Sequence, residues 1–235
     1  MSQLIKLESV VKVVCLARGE NPRERIEESL RSRQLPTTMD KVDILEADLA
    51  EPQFGLDGAV FSGLRQDVTH VIHAAWPVNF QLRLSAFEPQ IAGLKNLIDF
   101  SLTTSGGLPA RLLFCSSVST AMATPGRAVT MEKLVEDFNQ ALDQGYARSK
   151  LVSEHMVDVA TKAGADAHIL RIGQIIGDTE TGIWNSTEAF PLTIQSANTL
   201  KMLPKLDVVS LEVLCIWTTC MLTVCRPAHG YRLTL

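Results

Sequence analysis

The chain has 235 residues, a net charge of −4 at pH 7 and hydrophobic residues at 46% of its positions. This length suits one α/β domain with a sizeable core, and the charge gives no reason to expect nucleic acid or a membrane surface as a partner. The first residues lack the apolar core of a secretion signal. Five scattered cysteines match no standard zinc spacing. We therefore expect a reduced, cytoplasmic protein.

Short apolar runs alternate with helical patterns along most of the chain. The predicted strands are residues 11–16, 42–47, 68–75, 111–116 and 167–172. One helix is predicted to begin at Pro22, with Asn21 as its N-cap and Glu24 as the acid of a capping box. Further helices are predicted at 87–102 and 146–162. Short buried strands separated by helices predict an α/β fold with a doubly wound parallel sheet.

The segment Gly145-Tyr-Ala-Arg-Ser-Lys150 carries the clearest chemical signal. Tyr146 and Lys150 are four residues apart and therefore share one face of a helix. Because a nearby positive charge favours the phenolate, we expect Tyr146 to ionise more easily beside Lys150. With the Ser117 hydroxyl from a strand end, the pair could pass a proton to a carbonyl oxygen. A chance match on a surface helix is the alternative, and Ser116 is the alternative serine.

Two histidines and an apolar C-terminal segment are the candidates for a metal site and for a membrane span. His70 and His73 are three apart in a predicted strand, so they point to opposite faces and no shared metal site is expected. The apolar run 211–225 is shorter than the roughly 20 residues of a membrane span and contains Glu212. We expect neither a metal nor a membrane as a partner.

Eight segments follow one another in an order that defines a family resemblance. They are Leu16-Ala-Arg-Gly19, Ile44-Leu-Glu-Ala-Asp-Leu49, His70-Val-Ile-His-Ala-Ala75, Val78-Asn-Phe80, Cys115-Ser-Ser-Val118, Gly145-Tyr-Ala-Arg-Ser-Lys-Leu-Val-Ser-Glu154, Leu170-Arg-Ile-Gly-Gln174 and Gly177-Asp-Thr-Glu-Thr-Gly-Ile-Trp-Asn185. Together they resemble the thioester reductase domains of nonribosomal peptide and polyketide synthetases. The reductase domains of carboxylic acid and aminoadipate reductases are similar, and all fall within the extended short-chain dehydrogenases. The resemblance covers about residues 4–207.

This resemblance implies an activity, a cofactor and a partner. Such domains use NADPH to reduce an acyl or peptidyl thioester, carried on the phosphopantetheine arm of a carrier protein, to an aldehyde or alcohol. The implied catalytic residues are Ser117, Tyr146 and Lys150. Tyr146 would donate the proton, Lys150 would depress its pKa and bind the nicotinamide ribose, and Ser117 would polarise the carbonyl.

The resemblance also implies binding residues for the cofactor and the acyl substrate. Arg18 would bind the 2′-phosphate of NADPH bidentately, although a solvated loop arginine is the alternative. The other implied cofactor residues are Asp48, Leu49, Ala74 and Ala75, besides Tyr146 and Lys150. Asp48 could instead only form a turn, and the two alanines could reflect tight packing. Gln174 and Trp184 match positions near the substrate entrance.

The departures from the family favour a second hypothesis. The family opens with a strand and a glycine-rich phosphate loop before its first helix, and this chain shows neither. We expect residues 1–10 to be the tail of that helix, residues 1–207 a partial NAD(P)-binding domain, and 208–235 a divergent tail. The chain would then be an incomplete, inactive reductase that acts at most as an interaction surface. A dehydrogenase for free sugars or steroids is disfavoured by the segment 177–185.

Overall fold

The computed structural model describes residues 1–105, 109–124, 131–178 and 181–202. Within them the strands are β1 (Val13–Ala17), β2 (Val42–Glu46), β3 (His70–His73), β4 (Arg111–Ser117) and β5 (Ala167–Ile172). The α-helices are α1 (Pro22–Arg31), α2 (Gly58–Asp67), α3 (Glu88–Leu102), α4 (Gly145–Lys162) and α5 (Ala189–Leu200). The predicted alternation of strands and helices is confirmed. The predicted tail 208–235 lies outside the described residues.

The chain divides into two compact units, and the boundary follows Leu170 within β5. The first unit contains every strand from β1 to β4 and the helices from α1 to α4. The described part of the second unit contains α5 and the segment that leads to it.

The strands form two parallel sheets. β1 pairs with β2 from Val13 opposite Val42, and β3 pairs with β4 from His70 opposite Arg111. β5 lies on the other side of β4, so the orders are β1-β2 and β3-β4-β5. No ladder joins the two sheets among the described residues. Parallel strands end at the same edge of their sheet, so each sheet brings together the residues that follow its strands.

Helix α3 packs against both sheets of the first unit. Its Leu94 and Ile98 join a core cluster with Leu112 and Phe114 of β4 and with α4. Its Leu97 and Phe100 join a second cluster that contains Ala47 and Phe54. Alternate residues of β4 are buried, as expected for a strand with one face on the core. The shared helix therefore connects the two sheets through side-chain packing.

Several local predictions were wrong. Residues 1–10 form only one 3-10 turn, at Leu4–Lys6. The strand predicted at 68–75 is confined to His70–His73. Asn21 precedes α1 in a left-handed conformation, and its side chain makes no capping hydrogen bond. Pro22 nevertheless occupies the first turn, where its fixed φ suits a helix and its missing N–H is not needed.

Candidate active site

Helix α4 presents Tyr146 and Lys150 on one buried face, as the four-residue spacing predicts. Tyr146 is 9% exposed and Lys150 is 3% exposed. The helix begins at Gly145 because the backbone of residues 82–84 passes directly over this position. A Cβ atom on Gly145 would lie 2.3 Å from the carbonyl oxygen of Leu82. Only glycine permits this approach, which brings the preceding segment against the first turn of α4.

Ser117 ends β4 and lies beside Tyr146. Its Oγ accepts hydrogen bonds from the backbone N–H of Ser119 at 3.2 Å and from the Ser119 hydroxyl at 2.9 Å. Burial raises the pKa of the Tyr146 phenol, and a hydrogen bond with the Ser117 side chain partly offsets this effect. Ser116, the alternative serine, is buried and bonded to Glu154 instead. The structure therefore brings Ser117, rather than Ser116, to the phenol.

Lys150 is held by a carbonyl oxygen and by aromatic rings. Its Nζ donates to the backbone oxygen of Cys115 at 2.6 Å and lies 4.3 Å from the centroid of the Trp76 ring. It also lies 4.9 Å from the centroid of Phe114. Burial lowers the pKa of Lys150 to about 7, against a smaller opposing effect of Cys115 and Glu154. The ammonium is thus only marginally favoured at neutral pH.

The expectation that Tyr146 ionises more easily is wrong in this structure. Burial raises the pKa of Tyr146 above its ordinary value, and the hydrogen bond with Ser117 offsets this only in part. Lys150 lies 6.0 Å from the centroid of the phenol ring, with its ammonium directed to Cys115. Desolvation of the phenolate therefore outweighs any help from the ammonium.

Aromatic side chains surround the phenol. Phe80 meets the Tyr146 ring edge to face with the centroids 5.4 Å apart, and Phe87 does so at 6.3 Å. Phe87 is fully buried, whereas Phe80 is 53% exposed. Trp76 stacks on Phe87 and donates its Nε1–H to Ser149 of α4 at 3.2 Å. The face of α4 that carries Tyr146 and Lys150 is thus bounded by apolar rings, one of which reaches solvent.

Arg18 and Asp48 follow β1 and β2 and line one open cleft of about 480 Å³. The remaining lining residues are Gly19, Glu46, Ala47 and Gly55. Leu49, the third residue expected at this site, packs against α3. Its side chain lies close to Gly93, and its carbonyl oxygen accepts a hydrogen bond from the side chain of Asn96 at 2.8 Å. The structure thus brings Arg18 and Asp48 together in one cleft. Glu46 lines the same cleft, although no sequence pattern predicted it.

Arg25 stabilises the turn that carries Arg18. Its guanidinium donates to the backbone oxygen of Arg18 at 2.6 Å, and Gly19 adopts a φ of +78° in the same turn. At the other sheet, Ala74 and Ala75 follow β3 and are exposed.

In the second unit, Gln174 and Trp184 converge on one carboxylate. The Nε2 of Gln174 and the Nε1 of Trp184 each donate to Oε2 of Glu188 at 3.1 Å. Trp184 also stacks on Phe190, with centroids 6.2 Å apart. The sequence analysis did not predict a role for Glu188. Its position just before α5 was the one sequence feature that could have indicated it.

The sequence reading also assigned no role to two buried polar residues near Lys150. His73 is 4% exposed, and its Nε2 has no hydrogen-bond partner among the residues that the structure describes, whereas Glu154 is fully buried. No metal-binding cluster of three or more His, Cys, Asp or Glu residues occurs in the part of the chain that the structure describes. Within that part, no helix is long and apolar enough to cross a membrane.

The parallel α/β fold and the Ser-Tyr-Lys arrangement define an NAD(P)-binding domain of the extended short-chain dehydrogenase class. The chain belongs to the NAD-binding family described as male sterility proteins, whose model matches residues 1–216. Reductases are among the similar proteins. The carboxylic acid reductase of Neurospora crassa is 35% identical over 198 residues, which are 83% of this chain and 18% of that protein.

Solved structures show the same fold. The terminal R domain of the myxalamid polyketide–nonribosomal peptide pathway aligns with a TM-score of 0.77 at 24% identity, over 88% of this chain and 53% of that one. An archaeal thiolation-reductase di-domain aligns with a TM-score of 0.63 at 20% identity, over 80% and 42% of the two chains. The chain thus spans about half of these structures and less than a fifth of the carboxylic acid reductase. The family resemblance inferred from the sequence is confirmed.

Proposed function

We propose that this chain reduces an acyl or peptidyl thioester on a carrier protein to an aldehyde or alcohol, with NADPH as the reductant. The observation that carries the proposal is the convergence of Ser117, Tyr146 and Lys150 at the end of β4 and the start of α4. Its membership of an NAD-binding family with reductase relatives supports the same reaction.

Tyr146 can serve as the proton donor. A phenol carries its proton at neutral pH even without burial, and burial raises the pKa of Tyr146 further, so the proton is present for the oxygen of a substrate carbonyl. Ser117 already hydrogen-bonds the phenol and would orient the same carbonyl oxygen. Lys150 lies one turn further along α4, where its ammonium can help to restore the phenol proton. Collapse of the tetrahedral intermediate would then release the carrier thiol and leave an aldehyde.

The residues present fit the two ends of a dinucleotide. Arg18 and Asp48 line an open cleft suited to an adenosine, and the Arg18 guanidinium would bind a 2′-phosphate and favour NADPH over NADH. Ala74 and Ala75 leave space after β3, and Tyr146 and Lys150 would hold the nicotinamide ribose. Bound NADPH would supply the hydride, which is the step that the side chains cannot perform.

The carrier-bound substrate remains a proposal drawn from the relatives. The archaeal relative is a thiolation-reductase di-domain, which supports a phosphopantetheine-bearing carrier as the partner. Gln174 and Trp184 are the proposed substrate-binding residues, and Glu188 would fix the orientation of both. The exposed ring of Phe80 beside Tyr146 offers an apolar wall to an acyl chain.

A second candidate is a reductase-like domain that binds no dinucleotide and acts at most as an interaction surface. The observation that favours it is the lack of a ladder between β1 and β3 among the described residues. In the doubly wound fold a dinucleotide lies across the carboxyl ends of a continuous sheet. An interrupted sheet would weaken that site.

Calorimetric titration of the chain with NADPH, beside a thermal melt, separates the two candidates. The reductase proposal predicts saturable NADPH binding that raises the melting temperature, and weaker binding of NADH. A cooperative melt that NADPH does not change would favour the second candidate.

A further inference from the structure

Glu154 is a fully buried carboxylate outside the Ser-Tyr-Lys set. It lies on α4 four residues after Lys150, so the two side chains share one face of the helix. Its side chain is 0% exposed. A carboxylate is buried so completely only when hydrogen bonds or an opposite charge compensate for its lost hydration. The contacts of Glu154 therefore indicate what it stabilises.

Two hydroxyl groups that flank Ser117 in sequence meet at one oxygen of Glu154. Ser116 Oγ donates to Oε1 at 2.5 Å, a short charge-assisted bond. Thr120 Oγ1 lies 3.1 Å from the same oxygen and 2.8 Å from the carbonyl oxygen of Ser117, so its one proton is shared between them. The carboxylate thus fixes the backbone on both sides of Ser117 to α4, the helix that carries Tyr146.

Glu154 also acts electrostatically on Lys150. The titratable groups near the Lys150 ammonium include Cys115, His73, Glu154 and the phenol of Tyr146. Glu154 supplies a negative charge that opposes the desolvation of the ammonium, whereas His73 is neutral at pH 7 because burial and Lys150 lower its pKa to about 4. Without this charge the ammonium would be still harder to keep in its buried position.

We propose that Glu154 is a positioning residue of the reductase site, which holds the backbone on both sides of Ser117 against α4 and places a negative charge on the helix face that carries Lys150. This inference rests on the proposed function for its catalytic consequence. The contacts that support it involve only residues of α4, β4 and the turn Val118–Thr120, so it can be tested without any cofactor.

The charge is tested by Glu154→Gln, which keeps the Oε1 acceptor for both hydroxyls and removes the negative charge. NMR titration of the chain with isotope-labelled lysine follows the Lys150 signal, identified by its loss in Lys150→Met. We expect the midpoint of Lys150 to fall in Glu154→Gln, because the negative charge that opposes desolvation of the ammonium is lost. The matched control is Asp158→Asn, since Asp158 lies on the same helix but pairs with Lys162. An unchanged Lys150 midpoint in Glu154→Gln would overturn the proposal.

The positioning role is tested by Thr120→Val, which removes the shared hydroxyl and leaves the charge. The amide of Ser119 donates to Ser117 Oγ, so its hydrogen exchange reports on the position of Ser117. Exchange of this amide should accelerate in Thr120→Val but not in Thr161→Val, a control on α4 whose hydroxyl also donates to a backbone oxygen. Equal exchange in all three proteins would refute the positioning role. Should Glu154→Gln fail to fold, the amide exchange of Thr120→Val decides the proposal.

These outcomes are independent of turnover. A chain that reduces no thioester but shows the Lys150 shift would retain the Glu154 inference and contradict only the proposed function. An active chain whose Glu154→Gln variant keeps both the Lys150 midpoint and its pH profile would contradict only the Glu154 inference.

Discussion

The buried imidazole of His73 should make the fold sensitive to mild acid. His73 is 4% exposed, and its Nε2 finds no hydrogen-bond partner among the described residues. Its ring contacts those of Phe114 and Trp76, with centroid distances of 6.0 and 5.9 Å. Burial, followed by the charge of Lys150, lowers its pKa from 6.5 to about 4. Protonation is therefore much less favourable in the folded chain than in the unfolded one.

The sign and size of the effect follow from this difference. At pH values well above 6.5 the imidazole is neutral in both the folded and the unfolded chain, so it does not change how the free energy of unfolding depends on pH. Between pH 6.5 and about 4 only the unfolded chain binds the proton, so the free energy of unfolding falls as the pH falls. Each pH unit corresponds to about 1.4 kcal/mol, so the full loss is about 3 kcal/mol. For a domain of roughly 5–15 kcal/mol this is a large fraction.

The replacement His73→Phe should remove this contribution while keeping an aromatic ring against Phe114. Urea unfolding at about pH 7 and about pH 4.5 gives the free energies to compare. We expect wild type to lose about 2–3 kcal/mol more than His73→Phe over this interval. His70→Phe, on the exposed side of the same strand, should behave as wild type. An equal acid loss in His73→Phe and wild type would refute the reasoning.

Three further predictions concern the cofactor cleft, the start of α4 and the buried lysine. Arg18→Ala should weaken the binding of adenosine 2′,5′-bisphosphate by about 1.5–3 kcal/mol and leave 5′-AMP unchanged, whereas Arg23→Ala, on exposed α1, should change neither. Equal weakening of both nucleotides would mean that Arg18 is not the phosphate ligand. Gly145→Ala should destabilise the chain by roughly 1–3 kcal/mol because its Cβ would meet the backbone of residues 82–84, and Gly63→Ala, with nothing within 4 Å, should not. Urea midpoints distinguish the two, and a neutral Gly145→Ala would show that the approach is not tight. Because the pKa of Lys150 is lowered to about 7, wild type should gain stability as the pH rises from about 7 towards 10.5, and Lys150→Met should lack this slope in urea unfolding.

The strands and the long helices could be predicted from the sequence because their signals are local. Apolar runs located β1, β2, β4 and β5 to within a few residues, and the spacing of Tyr146 and Lys150 agrees with the helix that carries them. Helix α2 was missed because Gly58 and Gly63 weaken its propensity. Its signal was Asp57, whose carboxylate accepts from the N–H of Ala59.

The chemistry of the site depends on burial, which the local sequence does not reveal. The spacing indicated that Lys150 would lie near Tyr146, but not that its ammonium would turn to the Cys115 carbonyl and the Trp76 ring. For that reason the direction of the Tyr146 pKa was predicted wrongly. The contacts of Glu154 with Ser116 and Thr120 arise only when α4 packs on β4.

The most direct test of the account is the reduction of an acyl phosphopantetheine thioester by the chain with NADPH, compared between wild type and Tyr146→Phe. Loss of NADPH absorbance and formation of aldehyde or alcohol would be followed together. The account predicts turnover by wild type and a rate lower by roughly a hundred- to ten-thousand-fold in Tyr146→Phe, with NADPH affinity nearly unchanged. Equal rates in the two proteins, or no reduction by a wild-type chain that binds NADPH, would contradict it.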